Sequence, residues 1–111
     1  MKINGMVIEG KQQGRKIGFP TANISINQKI DFGRYKGITT FDNKSFLSAI
    51  YIGEYRPNIL ETHLIDFSDE NIYGKEIEVE IQEKIREDIK GLSNEELKKI
   101  ITEDISKIKN V

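Results

Sequence analysis

Residues 33–52 read GRYKGITTFDNKSFLSAIYI, and their period decides the fold class. From Gly33 to Phe41 the positions Tyr35, Gly37, Thr39 and Phe41 fall on one side of a period-two pattern, which only an extended chain can present as a face. Asp42-Asn43-Lys44 supplies turn chemistry, and Ser45–Ile52 resumes the strand, so the stretch predicts a β-hairpin. Working outward, Ile59–Phe67 predicts a further strand. Glu76–Ile85 predicts another, with Glu76, Glu78, Glu80 and Gln82 outward and Ile77, Val79 and Ile81 inward. Upstream, Ile3–Glu9 and Thr21–Ile26 are strand candidates separated by a Gly- and Lys-rich loop through Gly18, and Asn27–Phe32 is a connection. Six short strands with turn punctuation point to a small barrel or sandwich.

The period then changes. Leu97, Ile100, Ile101, Ile105 and Ile108 repeat at helical spacing, with Lys, Glu and Asp opposite, and Ser93 with Glu96 forms a capping box at the start. The expected architecture is all-β with a C-terminal helix: a partly closed antiparallel barrel at about 1–86, and a helix at about 93–109 packed over one opening, in one domain spanning 1–111.

Composition narrows the function classes. The 111 residues carry 17 basic and 18 acidic side chains, a formal charge of −1, so no basic surplus drives binding to nucleic acid. There is no cysteine and one histidine, His63, which leaves no disulfide framework, thiolate nucleophile or Cys-type zinc site. Any divalent metal must then be a hard ion held by oxygen. No stretch approaches the roughly 20 apolar residues of a membrane span. A soluble cytoplasmic protein is the expectation.

Two stretches could carry chemistry. GKQQGRKIGFPTAN, from Gly10 to Asn23, joins glycines (Gly10, Gly14, Gly18) that allow close backbone approach, cations (Lys11, Arg15, Lys16) that can neutralise phosphate, and the polar triplet Pro20, Thr21 and Asn23. A threonine hydroxyl with an asparagine carbonyl suits Mg²⁺. It is not a Walker loop, and the same residues also suit a surface loop before a proline-initiated strand. The second stretch is ILETHLIDF, residues 59–67. As a strand it puts Glu61 and His63 on one face with Ile59, Ile65 and Phe67, and Thr62 and Asp66 on the other. A carboxylate among apolar neighbours is either paired or functional. The bland alternative is an exposed face on which Glu61 pairs with a lysine. His63 reads more readily as a hydrogen-bonded structural histidine than as a catalyst.

With these residues in view the chain resembles the riboflavin kinase family. GRKIGFPTAN, Gly14–Asn23, is similar to the family's G-R-x-[LI]-G-[FI]-P-T-A-N stretch, and ETHLIDFSDENIYGKEIEV, Glu61–Val79, to its E-[VT]-H and Y-G segment. The likeness extends over KIRED, Lys84–Asp88, and the terminal helix. It implies a six-stranded Greek-key barrel, ATP under the Gly-rich loop, and riboflavin between barrel and helix. Thr21 and Asn23 would ligate Mg²⁺ with phosphate oxygens, and Glu61 would take the ribityl hydroxyl proton. Gly14, Arg15 and Gly18 would belong to the nucleotide flap and Arg86 to the flap near the flavin. Gly91 and Leu92 stand where relatives often carry an aromatic, so the isoalloxazine would either rest on Leu92 or bind loosely.

The implied activity is phosphorylation of riboflavin by ATP, giving FMN and ADP, with no nucleic-acid or membrane partner. Bacterial members often carry an upstream FMN adenylyltransferase domain. None precedes this sequence, which fits a free-standing kinase or a cut-out domain. A different class, a non-catalytic flavin- or nucleotide-binding module on the same barrel, is the alternative. An oligonucleotide-binding barrel would need a basic groove.

Overall fold

The computed structural model describes residues 1–8, 18–67 and 72–110. In it residues 33–52 form the hairpin: strand β3, Gly33–Phe41, pairs with β4, Lys44–Ile52, in an unbroken register from Gly33↔Ile52 to Phe41↔Lys44. Asp42 and Asn43 both take positive φ, 51° and 62°, so two consecutive left-handed residues make the tight turn whose twist matches the strands. The remaining strands are β1, Lys2–Met6, β2, Ala22–Ser25, β5, Ile59–Leu64, and β6, Glu76–Arg86. All pairings are antiparallel, in the order β1-β6-β3-β4-β5-β2. The sheet curls until its two edges meet, where the Ile8 N–H donates to the Asn23 carbonyl at 2.8 Å. The result is a nearly closed barrel.

Alternate residues of every strand fill its interior. Ile24, Ile50, Ile52, Leu60, Ile77 and Val79 are at most 1% exposed and form one cluster. Gly37 is required by that closeness, since a Cβ there would lie 2.1 Å from the Glu80 carbonyl oxygen and 2.4 Å from Ile50 Cδ1. Thr39, Ser48 and Thr62 are polar but wholly buried. They satisfy one another: Thr39 and Thr62 hydroxyls share a hydrogen bond of 2.9 Å, and Ser48 donates to Thr39 at 2.8 Å.

Two expectations need correction. The strand through Glu61 stops at Leu64: the Ile65 N–H still donates to the Leu47 carbonyl, and Asp66, at φ 61°, then turns the chain. Ile65 is buried outside the interior cluster, whereas Phe67 packs against that cluster with Phe41 and Phe46 and so leaves the outward face of Glu61 and His63. The helix α1, Asn94–Lys109, lies against the outer face of β4 rather than over an opening. The interior is already full of strand side chains, and Ile108 is buried without joining that cluster.

The start of α1 is as the sequence predicts: Ser93 N–H donates to Glu96 and Glu96 N–H to Ser93 Oγ. One charged residue breaks the pattern. Asp104 faces inward, 2% exposed, and binds Arg86 from the end of β6. Among the described residues no helix is long and apolar enough to cross a membrane.

Candidate functional site

A strand that buries every second residue must turn the others outward, and register decides which of those become neighbours. On the outer wall Arg34 pairs with Tyr51, Tyr51 with Glu61, and Glu61 with Asn23. Four strands thus lay down one row, Arg34–Tyr51–Glu61–Asn23. A second row runs alongside through Lys36, Ala49 and His63, and Thr21 continues it one residue before β2. The segment after β6 crosses over this wall, and α1 flanks it with Leu97 and Ile101. Between wall and cover lies a cavity of about 450 Å³.

One end of the cavity holds the sequence-predicted polar residues. Thr21 is half-buried and lines it; Asn23, beside it, is 4% exposed. Glu61, with a side chain 17% exposed, is not free on the surface, and among the described residues its ionic partner is an arginine and not a lysine. Its Oε2 accepts from the Tyr55 hydroxyl at 3.1 Å and lies 3.5 Å from Arg56 Nη2, which also donates to Asn23 Oδ1 at 3.3 Å. Arg56 therefore bridges the two residues that the register sets opposite one another, while its buried Nε has no partner among the described residues. His63 is the structural histidine expected: Nδ1 donates to the Pro20 carbonyl at 2.8 Å and the ring meets Phe19 edge-on, which fixes the approach to Thr21. Gly18 precedes this with φ 92°, a conformation that favours glycine.

The other end was not foreseen. The Arg34 guanidinium sits 4.4 Å over the Tyr51 ring, and the Tyr51 hydroxyl donates to Asp88 at 2.8 Å. Asp88 also accepts from the Glu54 N–H at 3.1 Å. Burial, and then Asp88, push the Tyr51 phenol well above its ordinary range, so it stays a donor. Burial pulls Arg34 down, opposed by Asp104, Tyr51, Glu61 and Asp88.

Gly91 and Leu92 line the cavity together with Thr21 and Glu61. Arg86 does not. Its Nε and Nη2 hold Asp104 Oδ1 at 2.9 and 2.8 Å, tying α1 to the barrel. Burial raises the Asp104 carboxyl above its ordinary value, and Arg86 opposes that shift. Gly10, Gly14 and Arg15 lie outside the described residues. Asp88 escaped sequence reasoning because it lies in the covering segment after β6, and Arg34 and Tyr51 because outward strand positions look solvated until something covers them. Only their shared alternation with Glu61 could have pointed to them.

The fold and site define a class, the small antiparallel barrels that hold a ligand cavity between the outer wall and a C-terminal helix. Within that class the chain belongs to the flavokinase family, whose model, described as riboflavin kinase, matches residues 1–111. It is similar to the bifunctional riboflavin kinase/FMN adenylyltransferase of Haemophilus influenzae, 40% identical over 118 residues that cover 97% of this chain and 37% of that protein. An RNA-binding riboflavin kinase of Bacillus subtilis is 40% identical over 112 residues, covering 94% of this chain and 48% of that one. The chain thus spans less than half the length of these relatives.

Among solved structures, the riboflavin kinase of Trypanosoma brucei superposes with a TM-score of 0.74 at 19% identity, over 98% of this chain and 74% of that one. A Streptococcus pneumoniae protein described as a macrolide-efflux protein gives 0.82 at 23%, over 98% and 36%. Those two likenesses are of fold alone.

Proposed function

We propose that this chain transfers the γ-phosphoryl group of ATP to the 5′-hydroxyl of riboflavin, giving FMN and ADP. The observation that carries the reading is the pairing of Glu61 with Asn23 across β2 and β5, beside Thr21, at one end of a cavity large enough for an aromatic ligand. Phosphoryl transfer asks a protein mainly for positioning and charge neutralisation. Glu61 accepts the hydroxyl proton as the oxygen bonds to phosphorus and the ADP oxygen leaves. Tyr55 and Arg56 both contact Oε2, which holds the carboxylate in one orientation. Leu92, Leu97 and Ile101 supply the apolar cover that excludes water from the ring end.

The corner formed by Thr21 and Asn23 fits Mg²⁺. It offers a hydroxyl and an amide oxygen, both hard donors, and it already attracts a cation, the Arg56 guanidinium. No group of three acidic or histidine side chains among the described residues could hold a metal unaided, so phosphate oxygens would complete the shell. When bound, the ion would neutralise charge developing on the phosphates. Gly10, Gly14, Arg15 and Gly18 would cover the nucleotide.

The test is incubation with riboflavin and Mg-ATP, with FMN and ADP separated and counted. Equimolar products are expected, and riboflavin returned unchanged by folded protein would refute the reading. Glu61→Gln keeps size but cannot take a proton, so turnover should fall about 10²- to 10⁴-fold with both ligands still bound. Retention of more than about a third of turnover would remove Glu61 from the base role. Nothing observed favours the non-catalytic alternative.

A further inference from the structure

Arg34 is the cavity residue that this mechanism leaves unused. It stands two strands from Glu61 along one row, a separation of about 10 Å at the usual strand spacing. Its side chain is partly buried, and among the described residues no carboxylate lies within ion-pair distance of it. The acidic groups that act on it are each held elsewhere: Asp104 by Arg86, Glu61 by Tyr55 and Arg56, and Asp88 by the Tyr51 hydroxyl and the Glu54 N–H. The Tyr51 face balances the charge of the guanidinium but accepts few of its five N–H donors. A ligand that fills the cavity withdraws those donors from water and must supply acceptors, and a planar fork seated on an aromatic ring is prearranged to meet a planar ligand edge-on. Around it the cavity is apolar, with Phe19, Ala49, Leu92, Leu97 and Ile101. The cavity thus has a donor-rich corner at Arg34 beside this apolar lining, at fixed reach from the polar end at Glu61.

The isoalloxazine ring has the complementary asymmetry: a dimethylbenzene edge with no polar atom, and a pyrimidine edge with two carbonyls. The five-carbon ribityl chain and the ring atoms beyond it span a length of the same order as the Arg34–Glu61 separation. We propose that Arg34 determines specificity for the flavin ring, donating to a pyrimidine carbonyl and so orienting the 5′-hydroxyl toward Glu61. The proposal rests on the riboflavin kinase reading. Arg34 is a positioning residue in it and takes no part in the proton transfer.

The experiment compares the parent chain with Arg34→Met in binding of riboflavin, 2-thioriboflavin and 4-thioriboflavin, followed by flavin fluorescence or absorbance, and in steady-state kinetics. A charged hydrogen bond predicts that Arg34→Met weakens riboflavin binding about 10- to 100-fold, raises its KM likewise, and leaves the KM for ATP unchanged. The parent should prefer riboflavin over at least one thio analogue, whose sulfur is a poorer acceptor, and the variant should lose that preference. Equal discrimination in both proteins, or riboflavin binding within threefold of the parent, overturns the proposal. Should Arg34→Met not fold, Arg34→Lys keeps the charge without the fork and is judged by the same loss of discrimination. Intact discrimination with no FMN formed would sink the kinase reading instead, and normal turnover with unaltered discrimination would sink only the role of Arg34.

Discussion

Replacing Arg86 by Met removes one half of the ion pair that ties α1 to the barrel while filling the volume of the stem. The Asp104 side chain is 3% exposed, so the variant leaves a carboxylate facing an apolar interface without its cation. Breaking a buried pair in this way costs about 3–5 kcal/mol. Protonation sets a ceiling on that cost. From an ordinary value of 3.8, neutralising Asp104 takes about 4 kcal/mol at pH 7 and about 1.6 kcal/mol at pH 5. The sign follows: a carboxyl whose folded pKa is raised gives stability that is full below the unfolded pKa and is lost as pH rises through the folded one. Arg86→Met should therefore lose about 3–4 kcal/mol at pH 7, roughly 15 °C in Tm for a domain of this size, and no more than about half of that at pH 5. Urea denaturation of both proteins at the two pH values measures it. A loss under about 1 kcal/mol at pH 7, or one that does not shrink at pH 5, would refute the argument that the pair is desolvated.

Thr21→Ala removes one oxygen from a corner suited to a six-coordinate ion, so turnover should collapse while the melting temperature stays within a few degrees; equal activity would put the metal elsewhere. Gly37→Ala forces a methyl group against the Glu80 carbonyl and should cost about 3 kcal/mol by chemical denaturation, whereas a loss under about 1 would show that the wall can yield. Glu96 is held below its ordinary value of 4.5 by hydrogen bonds from the Ser93 backbone and hydroxyl, so its contribution is present above that pH and fades as pH falls through the lower folded value. Circular dichroism should show helix loosening in that acid range in the parent and less pH dependence in Glu96→Gln; superimposable acid profiles would remove Glu96 from the cap's titration.

The barrel was legible because its strands alternate cleanly and its hairpin carries turn residues at the tip. Strand ends were less so: nothing in ILETHLIDF announces that Asp66 turns the chain, and the error placed Phe67 on the wrong face. Glu61, Thr21 and Asn23 were found by residue chemistry and resemblance, and register then brought Glu61 and Asn23 together. Asp104 was missed because an acidic residue on an amphipathic helix reads as solvated. Its spacing from Leu97, Ile101 and Ile108 places it on the buried stripe and was the available signal. The Arg34–Tyr51 end depends on a cover about 40 residues away in sequence, which no local pattern encodes.

The four members of the row Arg34–Tyr51–Glu61–Asn23 come from four separate strands, and the row is complete only when β2, β3, β4 and β5 are all in register. A one-residue slip in any of them would turn its member into the barrel interior. The complete site is thus a property of the finished topology: the hairpin 33–52 alone pairs Arg34 with Tyr51 but holds neither Glu61 nor Asn23. During refolding, ligand binding should return only with the last non-local strand pairing, and a lesion far from the cavity that shifts one register would silence the site as thoroughly as the loss of Glu61.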